Sequence, residues 1–157
     1  MKYLKYFEKI NHKPDVIDII INSYLETAIW TADFDDDADV KTIYDFSDKA
    51  RKQAKEEIEW FLKNAGDVFS DVSYTSIGHD LWLSRNHHGS GFFDRNYDDE
   101  VTDFLMDLSH ELGEINIYVD SNDKINFDIS SEKYKEFNLE KYLKDKEFKK
   151  TIKKYNL

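Results

Sequence analysis

The chain has 157 residues, no cysteine and a formal net charge of −11 at pH 7. That length suits one domain with a core of its own, and the missing thiols exclude disulfides, thiolate zinc sites and a cysteine nucleophile. The longest apolar run, Ile19, Ile20 and Ile21, is too short for a bilayer, and residues 1–10 lack the apolar stretch of a leader, so a cytoplasmic protein is expected.

The aromatic content, 11 Phe, 10 Tyr and 3 Trp, is enough to fill a core and argues against disorder. Charge is unevenly spread. Residues 132–157 hold nine Lys against five Asp and Glu, a net of +4, which leaves −15 on residues 1–131. A surface that negative keeps a protein soluble, repels nucleic acid phosphates and anionic lipid, and attracts a basic protein surface.

Pro14 and Asp15 suit the first turn of a helix, which continues through Val16, Ile19, Ile20, Tyr24 and Ala28 at three-to-four spacing and ends near Trp30. Five aspartates follow in seven residues: Asp33, Asp35, Asp36, Asp37 and Asp39. Repulsion at that density predicts an exposed loop, and these residues are the candidate partner-binding set. An EF-hand count from Asp33 meets Ala38 where glycine is needed and Tyr44 where the bidentate glutamate is needed, so a calcium loop does not fit.

Ser47 is the expected N-cap of a second helix with Ala50, Ala54, Ile58, Phe61 and Leu62 on its apolar face and Gly66 at its end. Asp71 is read as capping a short helical turn that ends at Gly78. Residues 79–85 alternate and favour β structure, which predicts a strand, a turn over residues 86–91 and a return strand over residues 91–94. Asp98 or Asp99 opens a third helix striped by Val101, Phe104, Leu105, Leu108 and Leu112, with Gly113 as its stop. A second hairpin pairs Ile115, Ile117 and Val119 with Ile125, Phe127 and Ile129 around the turn Asp120-Ser121-Asn122-Asp123. A basic C-terminal helix is expected within residues 132–157, loosely docked. The fold expectation is therefore one α+β domain over residues 1–157, with a small antiparallel sheet of two β-hairpins packed against about four helices.

Residues 78–95 concentrate three of the five histidines, three of the five glycines and two arginines. His79, Arg85, Asn86, His88, Asp94 and Arg95 are the candidate catalytic or ligand-binding residues. A histidine beside a carboxylate (His88 with Asp94, or His79 with Asp80) can move a proton, and Arg85 or Arg95 can clamp an anion. His79, Asp80, His87, His88 and Asp94 are the residues available to a metal, though no zinc-protease spacing occurs. The structural alternative makes Trp82, Leu83, Phe92 and Phe93 core, with Asp94 paired to Arg85 and Asn86 fixing the turn. No nucleotide or cofactor motif is present, so no cofactor is expected.

The matching positions Gly78, His79, Asp80, Trp82, Leu83, Arg85, Asn86, His88, Gly89, Gly91, Phe92, Asp94 and Arg95 make the segment resemble one carried by a family of small uncharacterised bacteriophage and prophage proteins. Ser23 to Trp30 also resembles that family's N-terminal helix. Leu81, Ser84, His87, Ser90 and Phe93 depart from the family segment, and His87 stands where the family has glycine. The resemblance spans roughly residues 20–120 and implies a mobile-element origin but no mechanism. Joined to the charge, it leads to an accessory protein that binds and modulates a host protein with a basic surface, such as a nucleic-acid-handling or defence enzyme. The alternative is a small enzyme or ligand-binding protein with its site in residues 78–95.

Overall fold

Apolar residues at helical spacing from Val16 to Ala28 give the first helix a buried side, and they do so in a computed structural model that describes residues 14–34, 40–66, 68, 69, 72–128 and 144–147. Its elements are α1 (Pro14–Thr31), α2 (Asp48–Ala65), α3 (Tyr74–Arg85), α4 (Asp99–Glu111), β1 (Asn116–Val119) and β2 (Ile125–Asp128). Among the described residues the result is mostly helical: four main helices with one two-stranded antiparallel hairpin.

Local chemistry starts and stops these helices. Ser47 Oγ accepts from Ala50 N at 3.1 Å at the head of α2, and Gly66 N donates to the Leu62 carbonyl at 3.1 Å at its end. Asp98 occupies the N-cap position of α4, although its side chain makes no capping hydrogen bond. In the hairpin, Ile117 pairs with Phe127 and Val119 with Ile125. Asp120 Oδ1 accepts from Asn122 N and Lys124 N at 2.8 and 3.0 Å, which builds the turn. The hairpin is tied to α2: Ser47 N donates to the Ile125 carbonyl, and Ser47 Oγ donates to Asn126 Oδ1.

The first of the two expected hairpins is corrected. Residues 79–85 belong to helix α3, and the expected return strand is a 3-10 turn, Phe92–Asp94. The reason is burial. Ile77, Gly78 and every residue from Asp80 to Arg85 are buried, so the polar side of α3 is confined to its first half, too short to reveal a helical period. Ser73 caps it, its Oγ accepting from Ser76 N at 3.3 Å; Asp71 lies outside the described residues. Of the basic segment 132–157, residues 144–147 are described and are helical, and Lys146 Nζ lies 3.7 and 3.8 Å from Asp103 and Asp107 of α4. Among the described residues no helix is long and apolar enough to cross a membrane.

One core joins all six elements. Tyr24, Ala54, Ile58, Leu81, Leu105, Leu108 and Ile125 are each wholly buried. Phe61, Phe69 and Phe92 form an aromatic triangle with ring centroids 5.6 to 5.9 Å apart. Burial of side chains this large stabilises the fold by about 1.5–3 kcal/mol apiece relative to exposure. Phe92 is thus core as expected, whereas Phe93 is exposed.

Candidate functional site

Helix α1 places Ser23, Glu26, Thr27 and Trp30 on one side through three- and four-residue spacing. Helix α3 brings Thr75, Ser76 and His79 against them. The approach depends on glycine at position 78, where a Cβ would stand 2.3 Å from the Ile20 carbonyl oxygen and 2.8 Å from Tyr24 N. Along this crossing runs an open groove of about 450 Å³, which Arg95 also lines.

Its polar groups orient one another. The Ser23 hydroxyl donates to the Thr75 carbonyl. Thr27 Oγ1 donates to the Ser23 carbonyl at 2.8 Å and lies 3.0 Å from His79 Nδ1. A hydroxyl whose proton is committed to a carbonyl accepts from the ring, so Nδ1 carries the hydrogen and Nε2 of the neutral ring keeps a lone pair. Nε2 has no partner among the described residues. The Trp30 and His79 rings lie 6.1 Å apart at 29°, and Trp30 is 72% exposed.

Arg95 is held from beneath. Its Nε and Nη2 donate to Asp80 Oδ2 and Oδ1 at 2.8 and 3.0 Å, a two-point clamp on a buried carboxylate. Those hydrogen bonds and the Asp80 charge keep the guanidinium above its already high ordinary pKa. His79 and Asp80 therefore serve different partners, His79 in the groove and Asp80 under Arg95.

Arg85 has no access to solvent. Its Nη1 donates to Glu57 Oε2 at 2.6 Å and to Tyr24 Oη at 2.7 Å, Nη2 donates to the Leu112 carbonyl and Nε to the Gly113 carbonyl, both at 2.8 Å. The expected Arg85–Asp94 pair is replaced by Arg85–Glu57, and Asp94 is exposed on the 3-10 turn. Burial raises the Tyr24 phenol far above its ordinary value, so it stays a neutral donor and acceptor. Glu57 sits in the apolar phase of α2, between Ala54 and Phe61, and that misplaced carboxylate was the available sequence signal for a buried cation.

Asn86 and His88 border a different depression, of about 380 Å³, together with Trp82. Asn86 sits at the end of α3 rather than in a hairpin turn: its Oδ1 accepts from Ile115 N at 2.8 Å and its Nδ2 donates to the Trp82 carbonyl at 3.0 Å. His88 N donates to the Leu83 carbonyl and His87 N to the Ser84 carbonyl, the paired bonds of a Schellman helix end. The exposed His87 adopts a left-handed φ of 56°. Its ring stacks on His110 with centroids 4.1 Å apart.

The glycines support packing. Gly91 has φ of 121°, and a Cβ there would meet Ser84 Oγ at 2.5 Å; Gly89, at φ of 65°, has open space around it. Among the described residues no three His, Asp or Glu side chains gather as a metal site would require. Of the candidate residues, His79 and Arg95 share the α1–α3 groove, Asn86 and His88 share the other depression, and Arg85 and Asp94 line neither. Asp33 is exposed; Asp35, Asp36, Asp37 and Asp39 lie outside the described residues. Comparison with protein-family models, curated proteins and solved structures returns no match.

Proposed function

We propose that this is a phage- or prophage-encoded accessory protein that acts by binding, docking on a host protein with a basic surface and modulating it. The observation that carries this reading is the net −15 over residues 1–131. Much of it is presented outward: Asp99, Glu100, Asp103, Asp107 and Glu111 of α4 are all exposed, and so is Asp33 at the head of the aspartate run. A nucleic-acid-handling or defence enzyme fits as partner class, because its phosphate-binding groove is basic and an acidic protein competes for it. The resemblance of residues 78–95 to phage and prophage proteins supports the mobile-element origin.

The enzyme alternative has less behind it. Arg85, Asn86, His88, Asp94 and Arg95 do not converge on one cavity, and Arg85 is buried with its guanidinium held by Glu57, Tyr24 and two backbone carbonyls.

The test is affinity capture from host lysate over a salt series, with wild type and a variant carrying Asp35→Lys, Asp36→Lys and Asp37→Lys. Capture of a basic protein that fades with salt and with charge reversal is the expected result. Capture indifferent to both overturns the reading.

A further inference from the structure

We propose that the groove between α1 and α3 receives an arginine side chain presented by the basic partner, an inference that rests on the binding reading above. A guanidinium is planar, carries five N–H donors and no acceptor, and stacks on aromatic faces. The groove offers the complement. Trp30 supplies a largely exposed indole at its rim. His79 Nε2 supplies a lone pair whose tautomer is set by the Thr27 hydroxyl. Glu26, one helical turn before Trp30, supplies an exposed carboxylate with no ion-pair partner among the described residues.

Charge points the same way. Among the described residues Arg95 is the one basic side chain lining this groove, and Asp80 answers its charge through two hydrogen bonds of 2.8 and 3.0 Å. Among the described residues Glu26 is then left as the unanswered charge. Trp30 lies in the last turn of α1, at the negative end of the helix dipole. Asp33, three residues further on, opens the five-aspartate run. A basic segment seated at Trp30 therefore has acidic sequence beside it. An anionic ligand would face the Glu26 carboxylate and the His79 lone pair, and a lysine ammonium lacks the flat face that matches the indole.

The experiment titrates the full chain with a nine-residue polyarginine peptide, a nine-residue polylysine peptide and adenosine monophosphate. Calorimetry gives affinity, and the indole N–H resonance of Trp30 reports contact at the groove. We expect polyarginine to bind more tightly than polylysine and to shift the Trp30 resonance. Trp30→Ala and Glu26→Gln should each weaken polyarginine binding about two- to five-fold, as stacking and charge contacts at exposed sites do. Melting curves of both variants should match wild type, since both side chains are exposed.

Polyarginine binding that weakens in the Asp35, Asp36 and Asp37 reversal variant but not in Trp30→Ala or Glu26→Gln overturns the arginine groove and leaves acidic docking standing. Absence of salt-sensitive binding to either peptide overturns both. A Trp30 shift caused by adenosine monophosphate and not by polyarginine overturns the inference in favour of a planar anion.

Discussion

Arg85 Nη1 lies 2.6 Å from Glu57 Oε2, and only 1% and 5% of the two side chains are exposed. The pair ties α3 to α2, and the remaining guanidinium nitrogens hold the chain between α4 and β1 through the Leu112 and Gly113 carbonyls. Glu57→Gln removes the counter-charge and leaves the cation buried, which should destabilise the protein by about 3–5 kcal/mol. Arg85→Lys should cost a similar amount, because an ammonium cannot reach both Glu57 and the two carbonyls. Joint replacement, Glu57→Leu with Arg85→Met, should recover most of the loss. Denaturant unfolding measures all three, and a Glu57→Gln loss below about 1 kcal/mol would show that the pair contributes little.

Asp80 and Arg95 call for a double-mutant cycle. Arg95→Ala leaves a buried carboxylate without its clamp and should cost about 1.5–3 kcal/mol, the range of hydrogen bonds to charged groups. Asp80→Asn in the same chain should restore part of it. Additive losses would mean the two residues act independently.

The glycines predict a graded series. Gly78→Ala forces α1 and α3 apart and should cost about 3 kcal/mol or more, as severe overpacking does. Gly89→Ala meets no atom within 4 Å but must hold a left-handed φ, so about 1–2 kcal/mol is expected. His87→Gly should run the other way and stabilise by up to about 1 kcal/mol, since His87 holds φ of 56° against its preference. Thermal melts rank the three, and a neutral Gly78→Ala would contradict the close helix crossing.

Histidine 110 predicts the response to mild acid. Burial holds its pKa below the ordinary value of 6.5, and the stacked His87 acts in the same direction. The folded state therefore binds its proton less readily than the unfolded chain. This contribution to stability is whole above the ordinary histidine range and is lost as pH falls through it. Melting temperature should drop between about pH 7 and about pH 5, with a smaller drop in His110→Gln. Asp45 and Asp120, whose carboxylates are held below their ordinary value first of all by backbone N–H groups of Thr42 and Lys124, act at lower pH. Equal slopes in wild type and His110→Gln across the histidine range would remove His110 as the cause.

Particular residues show how far the sequence could be read. Ala50, Ala54, Ile58 and Phe61 recur at helical spacing because α2 faces the core on one side only, and Ile117 with Val119 alternate because the hairpin does likewise. Helix α3 lies at the centre, and burial on nearly every side erased its period, so Leu81 and Leu83 passed for strand alternation. The groove was hidden for a related reason. His79 was visible as a candidate, but its neighbours Glu26 and Trp30 lie about fifty residues earlier in the chain. Only the crossing at Gly78 brings them together. Arg85 looked like an exposed clamp because Glu57, its true partner, is 28 residues away on another helix.

The bonds from Ser47 to Ile125 and Asn126 span 78 and 79 residues and join the head of α2 to β2. During synthesis α1, α2 and α3 can each coil as they emerge, but the cap of α2 acquires its strand partner only after residue 126 has left the ribosome. Contacts this distant along the chain form slowly, since the intervening loop must close before they reward it. Docking of the hairpin on α2 is therefore expected later than the coiling of the helices. A chain truncated before β2 should keep helical content yet lack the bonds that join α2 to β2.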